Sequence, residues 1–158
     1  MNGGVDVDPV ERLAAVEDIK QLKARYFRCM DTKDWDGFRD VFTVDARLDT
    51  SGEMPPSDDP DAGIVVGNEA IRAFVRGSVD EVVTVHHGHM PEIAIMSPTT
   101  ATGIWSMEDM LRWPEGSPMK AMHGYGHYLE TYAKVDGTWL IATLELTRLR
   151  RDLELAEP

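Results

Sequence analysis

Cysteine is almost missing from this 158-residue chain. Cys29 stands alone, so no internal disulfide can form, and a reducing cytoplasm is the expected compartment. Basic residues are scarce too: 16 Lys and Arg face 28 Asp and Glu, for a net charge of −12. Such a surface repels phosphate backbones and anionic lipid, which argues against nucleic-acid and membrane partners. No apolar run approaches the ~20 residues that cross a bilayer. The opening MNGGVDVDP is acidic and lacks the apolar stretch of a signal peptide. Also absent are HExxH, paired-cysteine spacing and a phosphate-cradling glycine loop, so neither a metal nor an organic cofactor is expected.

What is present suffices for one ordinary core. Asp8-Pro9-Val10-Glu11 carries an N-cap, a proline suited to the first helical position, and a box-like glutamate. Leu13, Val16, Ile19, Leu22, Tyr26 and Met30 then recur at steps of three and four, one apolar stripe on a long helix. Asp34-Trp35-Asp36-Gly37-Phe38 restarts a short second helix. Val44–Thr50 reads as a strand, Ser51–Gly63 as a loop dense in Pro, Asp and Gly, and Ile64–Gly67 as a short strand. Asn68 is the expected cap of a third helix ending near Gly77.

The second half changes character. Four long β-rich stretches, 82–96, 99–113, 119–135 and 138–150, are separated by Ser97-Pro98, Pro114-Glu115-Gly116 and Asp136-Gly137. Tight breaks between sequential strands predict an antiparallel meander. Long strands coil, and the helices can cover the concave face. The expected fold is α+β: a cone-shaped, curved antiparallel sheet, or α+β barrel, covered by N-terminal helices and enclosing a pocket. One domain is expected over residues 9–150, with 1–8 and 151–158 as flexible termini.

Three of the five histidines lie within Thr84-Val85-His86-His87-Gly88-His89-Met90. On a strand, His86 points opposite to His87 and His89, so the three cannot converge on one metal ion. A histidine facing an apolar pocket is suited to general base work, and a carboxylate can hold its tautomer. Asp31, on the edge of the first helix's apolar stripe, is the candidate carboxylate, and Tyr26 is the candidate acid or oxyanion donor. A buried structural histidine and a core tyrosine are the plain alternatives. Arg148 reads either as a solvated strand end or as a receptor for a substrate carboxylate.

Several of these features occur together in order: Tyr26 and Asp31 on a long helix, Asp34-Trp35-Asp36-Gly37-Phe38 leading to Phe42 and Asp45-Ala46, then Thr84-x-His86. Ala101-Thr102-Gly103-x-Trp105 and Tyr132-x-x-Val-Asp-Gly-x-Trp139 follow. The arrangement resembles the SnoaL-like branch of the nuclear transport factor 2 superfamily. Within it, the likeness is to dehydratase and dehydrochlorinase members such as scytalone dehydratase and bile acid 7α-dehydratase. The resemblance implies β-elimination by a His–Asp dyad without metal or organic cofactor, with His86, Asp31 and Tyr26 catalytic. Trp105, Tyr128 and Met90 are the expected substrate-binding residues. The implied function is a lyase acting on a hydrophobic cyclic molecule such as a steroid, polyketide or aromatic intermediate. The alternatives are a ketosteroid-isomerase-like or polyketide-cyclase-like enzyme, or a non-catalytic binding or assembly subunit.

The resemblance also implies a homo-oligomer, dimer or trimer, formed through the apolar outer face of the sheet. Light scattering at micromolar concentration is expected to show more than one chain per particle. A monodisperse 17.7 kDa species would remove this expectation.

Overall fold

The structure, a computed structural model, describes residues 7–53 and 57–157. Residues 1–6 and 158, expected to be flexible, lie outside the described residues. Helix α1 (Pro9–Asp31) starts where its cap sits: Asp8 Oδ1 accepts from the amides of Val10 (2.9 Å) and Glu11 (3.2 Å). Its inward face is Ala15, Ile19, Leu22, Lys23, Tyr26, Cys29 and Met30. From Val16 to Met30 this is the expected stripe; it departs at Leu13, which is 71 % exposed, and at Lys23, which is inside. Lys33 (φ 61°) ends the run, and Asp34 Oδ1 caps helix α2 (Trp35–Arg39) by accepting from the Gly37 amide.

Strand β1 (Phe42–Asp49) is followed by a 3₁₀ turn (Ser51–Glu53), strand β2 (Ile64–Val66) and helix α3 (Asn68–Val79). Gly67, not Asn68, holds the N-cap position of α3, at φ 96°. That backbone conformation favours glycine and displaces Asn68 into the first helical turn. Strands β3 (Val83–Ser97), β4 (Thr100–Arg112), β5 (Met119–Val135) and β6 (Thr138–Leu155) form the expected antiparallel meander. Asp136 and Gly137 both have positive φ, as a two-residue hairpin turn requires.

The sheet runs β2-β1-β6-β5-β4-β3 and is curved and unclosed. It is mixed rather than wholly antiparallel, because β1 lies parallel to β6. Parallel neighbours need a long crossover, and the whole chain between β1 and β6 supplies it. Strand β6 also reaches Leu155, pairing with β5 past the domain end expected at residue 150. Val7, expected to be in the flexible N-terminus, is buried against the core.

Helix α1 packs on β3 and β6, and α3 on β1, so the two long helices cover the concave face. At the junction of α1, α2 and β1, Phe38 is fully buried among Tyr26, Trp35 and Phe42, with ring centroids 5.2, 5.9 and 5.3 Å away. Phe38→Ala leaves a cavity there and is expected to lower stability by about 3–5 kcal/mol, read as a shift in urea-unfolding midpoint.

Candidate active site

Asp31 is the last residue of α1, and its carboxylate reaches across to β3. Its Oδ1 lies 2.6 Å from His86 Nδ1 and accepts from Thr84 Oγ1 at 2.9 Å, while Oδ2 accepts from the His86 amide at 2.9 Å. An ionised carboxylate only accepts, so Nδ1 carries a proton, and in the neutral ring Nε2 presents its lone pair to the other side. Lys33 Nζ donates to Thr84 Oγ1 at 3.1 Å and closes the network from the helix end. Burial alone would raise the Asp31 carboxyl, but the His86 and Thr84 donors outweigh it and hold it below the ordinary carboxylate value. Phe27, one helical turn before Asp31, lies parallel to the imidazole at 15°, with centroids 6.3 Å apart.

Between α1, α3 and the concave face of the sheet is a cavity of about 400 Å³. Tyr26, Tyr128 and His86 line it, with aliphatic side chains from α3, β1 and β6. Burial, then the Glu130 carboxylate, pushes the Tyr26 phenol well above its ordinary value. Burial also raises Tyr128 strongly, with Tyr26 next in effect. Both phenols therefore remain proton donors at neutral pH.

Asp109 of β4 stands 4.0 Å from His86 Nε2, on the side away from Asp31. It is buried and takes a two-pronged contact from Arg148, Nη1 to Oδ1 and Nη2 to Oδ2, each 2.7 Å. Arg148 Nε is paired in turn with Glu53. Gly124 faces Asp109 in the β4–β5 register, and an added Cβ would run into Asp109 Oδ1 and Arg148 Nη1. Glycine there makes room for the pair.

A second ionic group lies deeper. Lys23 and Glu130 are both fully enclosed and paired, and the Tyr132 hydroxyl donates to Glu130. The Lys23 ammonium sits over the rings of Tyr26 (3.9 Å to centroid) and Tyr128 (3.7 Å). Burial lowers the lysine below its ordinary value, with Glu130 opposing.

A SnoaL-like domain profile matches residues 11–145. The chain belongs to the SnoaL-like domain family. Solved structures agree in fold. A hexachlorocyclohexane dehydrochlorinase from Novosphingobium barchaimii superposes with TM-score 0.78 at 18% identity, over 96% of this chain and 100% of its own. A provisionally named scytalone dehydratase from Novosphingobium aromaticivorans gives 0.76 at 20%, over 92% and 91%. A provisionally named aromatic ring hydroxylase from the same organism gives 0.75 at 23%, over 95% and 96%.

In this SnoaL-like chain the expected site residues divide. His86 and Asp31 meet, and Tyr26 and Tyr128 line the same cavity. Trp105 is buried but is a core residue, donating Nε1–H to the Tyr132 hydroxyl at 2.8 Å; Trp113 lines the cavity instead. Met90, expected to bind substrate, is 91 % exposed. The cause is a β-bulge: Gly88 pairs with Met107 and Pro91 with Trp105, so His89 and Met90 together oppose Ser106 and the alternation breaks. His87 and His89 face outward and approach Glu108 at 3.4 Å each, joined by His123 at 2.9 Å. Among the described residues, no group of three or more His, Cys, Asp or Glu side chains is disposed to hold a metal ion. Nor is any described helix long and apolar enough to cross a membrane. No sequence motif marks Asp109, Lys23, Glu130 or Glu53 as site residues. For Asp109 and Glu130 the signal is alternation, which puts Asp109 on the face of β4 that carries Trp105 and Met107, and Glu130 on the face of β5 that carries Tyr128.

The Asp31 network implies a pH dependence. The folded carboxyl titrates below its ordinary value of 3.8, so its contribution is complete above that value and is lost as pH falls through the folded one. The stability difference between wild type and Asp31→Asn is expected to shrink as pH drops below about 4. Urea unfolding across the acidic range reads it, and a constant difference would contradict the network.

Proposed function

We propose that this SnoaL-like protein is a cofactor-independent lyase, a dehydratase or related eliminase, acting on a hydrophobic cyclic small molecule. The observation that carries this reading is the 2.6 Å contact between Asp31 and His86 Nδ1 with the imidazole in the cavity wall. Nε2 takes a proton from a carbon next to an activating group, and the C–H electrons form the double bond. The leaving group departs from the adjacent carbon. For a hydroxyl, the C–O bond breaks as a proton reaches the oxygen, either directly from the imidazolium or from the Tyr26 phenol, which then takes the imidazolium proton in exchange, and water is released. Asp31 keeps the ring oriented and stabilises the imidazolium. The cavity's aliphatic lining excludes water and strengthens these contacts. The dehydrochlorinase and dehydratase names of the structural neighbours support the same class of reaction.

A second reading has its own observation. Tyr26 and Tyr128 are held protonated in the same cavity and can donate to a developing enolate oxygen. That combination serves an isomerase or cyclase with His86 as base. A binding or assembly subunit without catalysis, the third reading, makes no use of the dyad.

Liquid chromatography coupled to mass spectrometry, on a panel of β-hydroxy ring ketones, separates the three by mass and retention. Loss of water identifies the dehydratase, a rearranged product of unchanged mass the isomerase, and an unaltered panel the binding subunit. His86→Ala is expected to abolish turnover with the fold intact by circular dichroism. Asp31→Asn is expected to lower the rate by up to about 10⁴-fold, the size of loss seen when a catalytic histidine is left in the wrong tautomer. The two losses are expected to be non-additive. Turnover that survives His86→Ala would eliminate the dyad as the catalyst.

A further inference from the structure

The polar wall of the cavity carries a guanidinium that a ligand cannot readily use. Arg148 lines the cavity, and a lone arginine there would invite a carboxylate or phosphate. Each of its three nitrogens is already engaged: Nη1 and Nη2 by Asp109, at 2.7 Å each, and Nε by Glu53. Nη1 also approaches Met107 Sδ at 3.6 Å. The other guanidinium at the cavity, Arg151, is 41 % exposed at its side chain and reaches the same Glu53 at 3.4 Å. Two carboxylates thus answer two guanidiniums, and behind His86 the Asp31 carboxylate has Lys33 beside it through Thr84. Without displacing Asp109 or Glu53, an anionic ligand meets only the second N–H of Arg148 Nη2 and the outer N–H groups of the exposed Arg151, a poor return for burying its charge.

The space between His86 and Asp109 has a different use. Nε2 and Oδ2 are 4.0 Å apart, too far for a direct hydrogen bond. One oxygen atom can still lie within about 2.8 Å of both. Asp109 accepts only one bond at each oxygen from Arg148, so lone pairs remain for a hydroxyl proton. The hydroxyl oxygen can accept from His86 when the ring is protonated.

From this geometry we propose that the Asp109–Arg148–Glu53 cluster is a specificity device that restricts the cavity to uncharged ring compounds bearing a hydroxyl, seated between His86 Nε2 and Asp109, and excludes carboxylates. The proposal rests on the reading of this cavity as the substrate site and narrows the substrate class. It also departs from the sequence-based option that Arg148 receives a substrate carboxylate, because the guanidinium is neutralised within the protein.

Isothermal titration of the full chain with 2-naphthol and with 2-naphthoate, near neutral pH, tests it. These probes share a two-ring body and differ in a neutral hydroxyl against a carboxylate. The wild type is expected to bind 2-naphthol at least tenfold more tightly than 2-naphthoate. Glu53→Gln, a change at the cavity mouth, and Asp109→Asn each release guanidinium nitrogens. Each is expected to close that gap by tenfold or more, chiefly through gained 2-naphthoate affinity. Glu53→Gln keeps the test decisive should Asp109→Asn fail to fold. Equal or tighter wild-type binding of 2-naphthoate, no 2-naphthol binding, or an unchanged gap in a folded variant would each overturn the proposal. The hydroxyl of 2-naphthol cannot be eliminated from its aromatic ring, so the readout is binding alone. Failure here leaves the lyase reading standing, and failure of the lyase reading in turnover assays leaves this result intact.

Discussion

The Asp31 carboxylate is the contact on which the arrangement of this molecule depends. It sits where α1 ends and takes three hydrogen bonds from β3: a threonine hydroxyl, a backbone amide and an imidazole. Those bonds hold the C-terminal end of a 23-residue helix against the third strand. With that end fixed, Phe27 is placed parallel to His86 and Tyr26 is directed into the cavity. The same bonds that anchor the helix also orient the candidate base, so stability and the proposed chemistry rest on one side chain.

Two ionic groups bear on the cavity, one behind its tyrosine rings and one in its wall. Lys23 and Glu130, with Tyr132 and Trp105, form a closed polar chain beneath the Tyr26 and Tyr128 rings. Asp109, Arg148 and Glu53 form the other chain along the polar wall. Pairs this well enclosed are costly to break, because removing one partner strands a charge away from water, although the intact pair adds little net stability. Their value lies in fixed geometry. The lower pair holds a cation against the phenol rings, and the upper pair presents a carboxylate to His86 Nε2 while occupying the nearby guanidinium.

The histidine-rich segment of β3 shows how a sheet sorts similar residues into different environments. His86 is enclosed between Asp31 and Asp109, whereas His87 and His89 lie on the opposite face beside Glu108 and His123. Strand alternation separates His86 from His87. The bulge after Gly88 then turns Met90 outward and ends the pocket-facing run of this strand. Gly88 itself is needed for close approach, since a Cβ there would meet the Phe27 ring and Trp105.

Much was legible in the chain alone, because it depends on neighbours in sequence. The Asp8 cap, the long first helix, the Asp136-Gly137 turn and the meander of long strands follow from local propensity and periodicity. Alternation separated His86 from His87, and the place of Asp31 on the edge of the first helix's apolar stripe, together with the family resemblance, paired it with His86. The remainder required the tertiary structure, because its partners lie far apart along the chain. Nothing local marks Lys23 for burial until Glu130 is folded over it, and Arg148 reads as a strand end until Asp109 and Glu53 close around it. The parallel β1–β6 pairing joins segments separated by most of the chain, and the β3 bulge depends on the β4 register. Local sequence determined the elements and which residues share a face. Only packing decided which charges are buried, because a charge enters the interior only where a distant partner is already placed to meet it.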